Sequence, residues 1–181
     1  MEFFRYIYPE YKKIFPEEER KPLYKIIKNS MDGVLHILKI VYDNKIIGFM
    51  SVNIIDEYGL IQLDYFAIFE KYRSNGYGKK AIVKLKEKYN KCKGIFVEIE
   101  KIGLGKDELE NENRMRRAKF YENLNFNKLD IDIDLFNVIY TLYFFNINYE
   151  YEKERFIKDI FEIYYSITNK KIIDKKCKVC N

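Results

Sequence analysis

The sequence predicts a single α/β unit, and three observations carry that expectation. The chain has 181 residues, the ordinary size of one compact domain. Hydrophobic residues make up 48% of it and aromatic residues 17%, enough apolar surface for a core and too much for extensive disorder. Segments rich in β-branched and aromatic residues are interleaved with segments whose apolar residues recur at helical spacing.

The elements follow in order. Pro9 suits the first turn of a helix, and the charged run to Ser30 contains Pro16 and Pro22. Each proline removes a helical donor and disfavours helix just before it, so two short helices with a bend between them are expected. From Leu35 the pattern changes. Residues 35–43, a turn at Asn44-Lys45 and residues 46–56 make a β-hairpin candidate, and a third strand over 60–69 follows the Tyr58-Gly59 break. After a glycine-containing loop, residues 79–89 carry Ile82, Leu85 and Tyr89 at helical spacing, with lysines on the other face. Residues 94–100 read as a mostly buried strand, 102–112 as a polar loop, and 113–126 as a helix ending near Asn125. Two more strands occupy 129–136 and 137–146. The last helix, 152–168, aligns Phe156, Ile160, Phe161, Tyr164 and Ile167 on one stripe, which suits packing first and a dimer contact second. With no repeat or linker in sight, residues 1–150 and the terminal helix and charged tail over 151–181 are expected to form one domain.

Charge and cysteine usage narrow the function. The formal net charge is +5 with 34% charged residues of both signs interspersed, which argues for solubility more than for a nucleic-acid surface. A nucleic-acid reading rests only on that charge and the many tyrosines. Cys92, Cys177 and Cys180 cannot build a disulfide framework, so a reducing cytoplasm is the simpler expectation. The first residues do not form a secretory signal, and no apolar stretch approaches the ~20 residues of a membrane helix. Cys177 and Cys180 have no second pair and no nearby histidine, so no metal is expected and their spacing reads as chance in a frayed tail. His36, the single histidine, lies far from the informative loop and reads as structural.

That loop belongs to residues 63–82, which run strand, loop with Gly76 and Gly78, then helix start. A helix start exposes unpaired N–H groups and the positive end of its dipole, and glycines allow close approach of an anion, so the arrangement suits a phosphate. Lys79 and Lys80 add positive field, and Arg73 suits either loop carbonyls or phosphate oxygens. On two glycines alone, an ordinary strand-to-helix connection explains the stretch at least as well. It is not a Walker loop, since no Gly-Lys-Ser/Thr follows, and it lacks the third glycine of a dinucleotide loop.

The full setting is more specific. Arg73-Ser74-Asn75-Gly76-Tyr77-Gly78 resembles the R/Q-x-x-G-x-G/A acetyl-coenzyme A signature of the GNAT superfamily of N-acetyltransferases, and Phe66-Ala67-Ile68 resembles the strand leading into it. Val97-Glu98-Ile99-Glu100 resembles the family's fifth strand, and Lys119 to Phe126 resembles its F-Y-E-x-L-G-F helix end. The three motifs stand in the family's order and span roughly residues 46–126. Three departures stand out: Ser74 where many relatives have Gly, Asn125 in place of Gly at the helix end, and Arg114 and Arg117 where many relatives have Asn and Ala.

The resemblance implies a mixed, mostly antiparallel central sheet with two splayed parallel strands and flanking helices. It implies an N-acetyltransferase that uses acetyl-CoA as co-substrate and acts, as monomer or homodimer, on a primary amine of a small molecule or peptide. A non-catalytic acyl-CoA-binding sensor or scaffold with the same fold is the alternative. The strands would part after Tyr65-Phe66, with the pantetheine arm on the amides of Phe66 and Ile68, beside Ala67. Residues Arg73, Ser74, Asn75, Gly76, Tyr77, Gly78 and Lys79 would hold the pyrophosphate, with Arg114 or Arg117 as a further phosphate contact. Tyr121 resembles the family's general acid. The base is open among Asp64, Glu98 and Glu100, the last two sharing one strand face, with solvated strand-edge charge as the alternative for each. Acidic groups there would favour a cationic acceptor.

Overall fold

The computed structural model describes residues 2–56 and 58–180, and of Glu18 the backbone only. A π-helical turn over Phe3–Ile7 leads into α1 (Tyr8–Ile14), and a short 3-10 turn over Glu17–Glu19 precedes α2 (Leu23–Met31). The expected pair of short helices is present, although the first starts ahead of Pro9. Pro22 stands at the N-cap of α2, where its missing N–H costs nothing.

The strands are β1 (Leu35–Tyr42), β2 (Lys45–Ile54), β3 (Leu60–Ile68), β4 (Gly94–Glu100), β5 (Asn127–Leu135), β6 (Val138–Asn146) and β7 (Cys177–Cys180). They form one sheet in the order β1-β2-β3-β4-β6-β5-β7, antiparallel at every step except β3–β4. Both two-residue hairpin turns use left-handed backbone: Asp43 and Asn44 at φ +49° and +54°, Phe136 and Asn137 at +56° and +70°. The first turn is therefore one residue earlier than the pattern of apolar residues suggests, and the second lies at the expected boundary between 136 and 137.

The parallel pairing is short. Only Leu60, Ile61 and Gln62 of β3 pair with Gly94, Ile95 and Phe96 of β4, so the strands part from Leu63 onward and not after Tyr65-Phe66. A β-bulge explains the earlier parting. Ser51 faces Tyr65 and Val52 faces Leu63, leaving Asp64 without an opposite residue, and an extra residue bends its strand away from the ladder.

Helices cover both faces. On one, α3 (Tyr77–Lys88) and α4 (Glu108–Glu122) pack Ile82, Leu85 and Ala118 on Val52, Ile61, Leu63, Ile95 and Val97. On the other, α5 (Lys153–Ile167) packs Phe156, Ile160, Ile163 and Tyr164 on Leu60, Phe96, Ile133, Leu142 and Phe144. Burying one such side chain stabilises by about 1.5–3 kcal/mol, which accounts for the stripe on α5. Along β4 the alternation sends Ile95, Val97 and Ile99 to the first face and Phe96 to the second, and Glu98 follows Phe96.

Two further expectations need correction. Residues 108–112, read as loop, already belong to α4: the Asp107 carboxylate accepts from the Glu110 N–H at 2.7 Å, and the Glu110 carboxylate from the Lys106 N–H at 3.0 Å. The tail is not frayed. Asn169 caps α6 (Lys170–Lys176), and β7 then pairs with β5, Cys177 opposite Leu135 and Cys180 opposite Asp132. Ile173 and Cys177 are buried against the α5 side of the sheet, which holds the segment in place.

Candidate active site

Between β3 and α3 the chain turns through the glycine loop. Gly76, at φ +74°, is the N-cap of α3, a backbone that glycine adopts without steric cost. Ser74 also takes a left-handed conformation, φ +63°, at the position where many GNAT relatives have Gly. The Asn75 side-chain amide donates to the carbonyls of Arg73 at 2.8 Å and Tyr72 at 3.3 Å, bracing the turn. Arg73 donates from Nε to the Ile68 carbonyl at 3.0 Å, so loop support is its observed role. First-turn amides have no acceptor within their own helix, so Tyr77, Gly78 and Lys79 present N–H groups at the positive end of the α3 dipole. Gly78 lies against the rings of Phe120 and Phe66, and Lys79 and Lys80 are exposed beside it.

The parting of β3 from β4 leaves one backbone edge open. The Phe69 N–H donates to the Ile47 carbonyl on the β2 side at 2.8 Å. Alternation along the strand then turns the amides of Phe66 and Ile68 the other way, toward the gap, and the reach of Arg73 to the Ile68 carbonyl agrees with that direction. An open strand edge leading into a helix N-terminus fits acetyl-CoA on two counts: backbone groups for its amide-bearing arm and N–H groups for its phosphates.

Tyr121 lies in the last turn of α4, its ring 5.1 Å from that of Phe120 and 5.3 Å from that of Phe126. Phe120 packs on Phe66 with ring centres 6.0 Å apart, tying this turn to the open segment of β3. Burial raises the Tyr121 hydroxyl well above the usual phenol range, and the Arg117 charge only partly opposes it. The phenol therefore keeps its proton near neutrality. Asn125, just beyond, sits at φ +61°, so it does take the left-handed backbone of the glycine it replaces.

The three carboxylates differ in their partners. Asp64 accepts from Lys21 Nζ at 2.5 Å and from Ser51 Oγ at 3.4 Å. Glu100 is paired with Arg117, whose Nη2 lies 2.9 Å and 2.8 Å from its two oxygens. Glu98 meets neutral donors instead: Gln62 Nε2 at 2.8 Å on one oxygen and the Tyr164 hydroxyl on the other. Burial raises its carboxyl to about 7, the Asp64 charge adds to that rise, and the two hydrogen bonds oppose it. Such a group exchanges protons near neutrality.

Not every expected residue reaches the site. Arg114 is buried, with Nη1 donating to the Lys101 carbonyl at 2.8 Å and Nη2 to Glu110 at 2.5 Å, so its observed role is to fasten α4 to the end of β4. Arg117 is likewise spent on Glu100. His36 lies 3.0 Å from the Tyr89 hydroxyl through Nδ1, a structural pairing of β1 with the end of α3. Among the described residues, no group of three or more His, Cys, Asp or Glu is arranged to hold a metal. No helix of the described residues is long and apolar enough to cross a membrane.

Several residues at the site escape a sequence reading. Gln62 is a polar residue in a buried strand, and Tyr164 lies within an apolar helical stripe that reads as packing. Lys21 covers Asp64, and the Tyr65 hydroxyl donates to the Glu19 carbonyl at 2.5 Å, closing the cleft from the segment ahead of α2. The glutamine had a signal in its polarity; the others had none.

The class is now defined by fold and site together. The profile of the Acetyltransferase (GNAT) family matches residues 4–126, well over half the chain, and the chain belongs to that family. A GNAT-family protein of Bacteroides thetaiotaomicron superposes with a TM-score of 0.70 at 22% identity, over 92% of this chain and 91% of that one. An aminoglycoside 6'-N-acetyltransferase solved with coenzyme A gives 0.60 at 13% identity, over 80% and 90%. The ribosomal-protein-S18-alanine N-acetyltransferase of Escherichia coli gives 0.50 at 13%, over 70% and 80%. At these identities the likeness is one of fold. No curated protein sequence matches the chain.

Proposed function

We propose that the protein transfers the acetyl group of acetyl-CoA to a primary amine of a small molecule or peptide. The observation that carries this reading is the open β3 edge running into the glycine-capped start of α3, with Glu98 and Tyr121 on either side of the sheet beside it. The acetyl-CoA thioester supplies an activated acyl carbon. Amides of Phe66 and Ile68 hold the arm, and those of the Gly76 to Lys79 turn hold the phosphates.

Acetyl transfer needs a neutral amine, and Glu98 accepts the ammonium proton, directly or through water. As the C–N bond forms and the C–S bond breaks, Tyr121 gives its hydroxyl proton to the departing sulfur, and the second proton of the acylated nitrogen leaves through water, which also returns a proton to the Tyr121 oxygen. Asp64 and Glu100 are paired with Lys21 and Arg117, so the carboxyl left to favour a cationic acceptor is Glu98. The three free thiols, Cys92, Cys177 and Cys180, support a reducing compartment such as the cytoplasm.

Calorimetry tests the first half of this reading. The protein is expected to bind acetyl-CoA with submillimolar affinity, and Gly76→Glu, which puts a carboxylate and a strained left-handed backbone at the phosphate site, is expected to abolish that binding. No heat at millimolar ligand, or undiminished binding by the variant, would contradict it. Binding without turnover on any amine would leave a non-catalytic acyl-CoA sensor.

A further inference from the structure

We propose that Tyr164 of α5 and Gln62 of β3 are positioning residues that fix the Glu98 carboxyl for proton transfer. This rests on the reading of Glu98 as the base. Each oxygen of Glu98 has its own donor, Gln62 Nε2 at 2.8 Å on Oε2 and the Tyr164 hydroxyl on Oε1. Two donors from two elements leave the carboxyl little freedom to turn.

The donors are themselves held. Gln62 accepts from Asn53 Nδ2 at 2.7 Å through its own Oε1, so the amide orientation that aims Nε2 at Glu98 is set by a neighbour that is fully buried. Tyr164 is 1% exposed, seated in the same cluster as Phe156, Ile160 and Ile163. Packing alone would be served by Phe at 164 and Leu at 62, without the cost of burying a hydroxyl and an amide. What these polar groups achieve is a fixed, hydrogen-bonded carboxyl on a half-buried residue. α5 lies outside the segment matched by the family profile, so Tyr164 is a contribution of this chain's own C-terminal helix.

The two donors act on the charge as well as the position. Hydrogen bonds to a carboxylate favour its ionised form, and here they oppose burial and the negative charge of Asp64, itself paired with Lys21. The other titratable groups around Glu98 are Glu100 on its own strand face, Tyr140 on β6 and Cys177 at the start of β7. Tyr140 and Cys177 keep their protons near neutrality, because burial pushes both upward, and Glu100 is held by Arg117. Glu98 itself is raised by burial to about 7.

The test is the pH dependence of kcat at saturating amine, measured for the native protein, Tyr164→Phe and Glu98→Gln. Glu98→Gln is expected to remove the acid limb. Tyr164→Phe is expected to move that limb to higher pH by about one unit, a roughly tenfold loss of turnover below it, with acetyl-CoA affinity unchanged. Gln62→Leu carries the same expectation and serves if Tyr164→Phe folds poorly, which circular dichroism reads. A limb that stays in place in Tyr164→Phe and Gln62→Leu, while Glu98→Gln removes it, would overturn the positioning role and leave Glu98 as base. A limb that survives Glu98→Gln would overturn the base itself.

Discussion

In the proposed mechanism Tyr121 and Glu98 have opposite tasks, and their surroundings suit that division. The phenol lies among aromatic rings that hold its proton on, whereas the carboxyl is balanced at about 7 between burial and two donors. Tyr121→Phe is therefore expected to lower kcat by about 10²-fold, the lower end for loss of general acid catalysis, while calorimetry shows acetyl-CoA affinity within a factor of about two. An unchanged kcat would remove Tyr121 from the chemistry. Tyr121 and Gly76 were legible in the sequence because each lies inside a short, ordered motif. Tyr164 was not, because its partner is 66 positions away and a tyrosine that donates to a carboxylate looks, in a helical stripe, like any other core ring. The choice among the three carboxylates was equally out of reach. It depends on Lys21 and Arg117, one on each side of the sheet, neutralising Asp64 and Glu100 and leaving Glu98 with neutral partners.

At the scale of elements, the site depends on how little of β3 pairs with β4. Three residue pairs join them, and Gly94 opens that short ladder. A Cβ at 94 would stand 2.3 Å from the Phe144 ring and 2.7 Å from the Phe145 carbonyl, and the carbonyl cannot swing aside. Gly94→Ala is expected to cost about 2 kcal/mol by urea denaturation, the middle of the range for overpacking; a variant as stable as the native protein would mean that β4 shifts freely, and the splay with it. Strand and helix identities were readable from periodicity. The bulge at Asp64 was not, since nothing in Tyr65-Phe66 marks where pairing ends and the extra residue shows only in the register with β2. The start of α4 had a signal in the Asp107 and Glu110 pair, overshadowed by the polar composition around it.

For the molecule as a whole, residues 46–126 carry the motifs, but the C-terminal segment is joined to the same sheet through β7 and supplies Tyr164. The lysine-rich tail hides only a few apolar residues, Ile173 and Cys177 among them, so its strand was beyond any pattern of four residues. The surplus of positive charge that composition reports is, at the site, a matter of Lys79 and Lys80 beside the helix start and Lys21 on Asp64. The most direct measurement of the central claim follows free coenzyme A and product mass while the protein is incubated with acetyl-CoA and a panel of polyamines, aminoglycosides and peptides with free N-termini. Stoichiometric release of coenzyme A with the mass of one acetyl group gained per reacting amine, lost in Glu98→Gln, is the result expected. Tight binding of acetyl-CoA with no coenzyme A released above the background of acetyl-CoA alone, for every amine class, would contradict it.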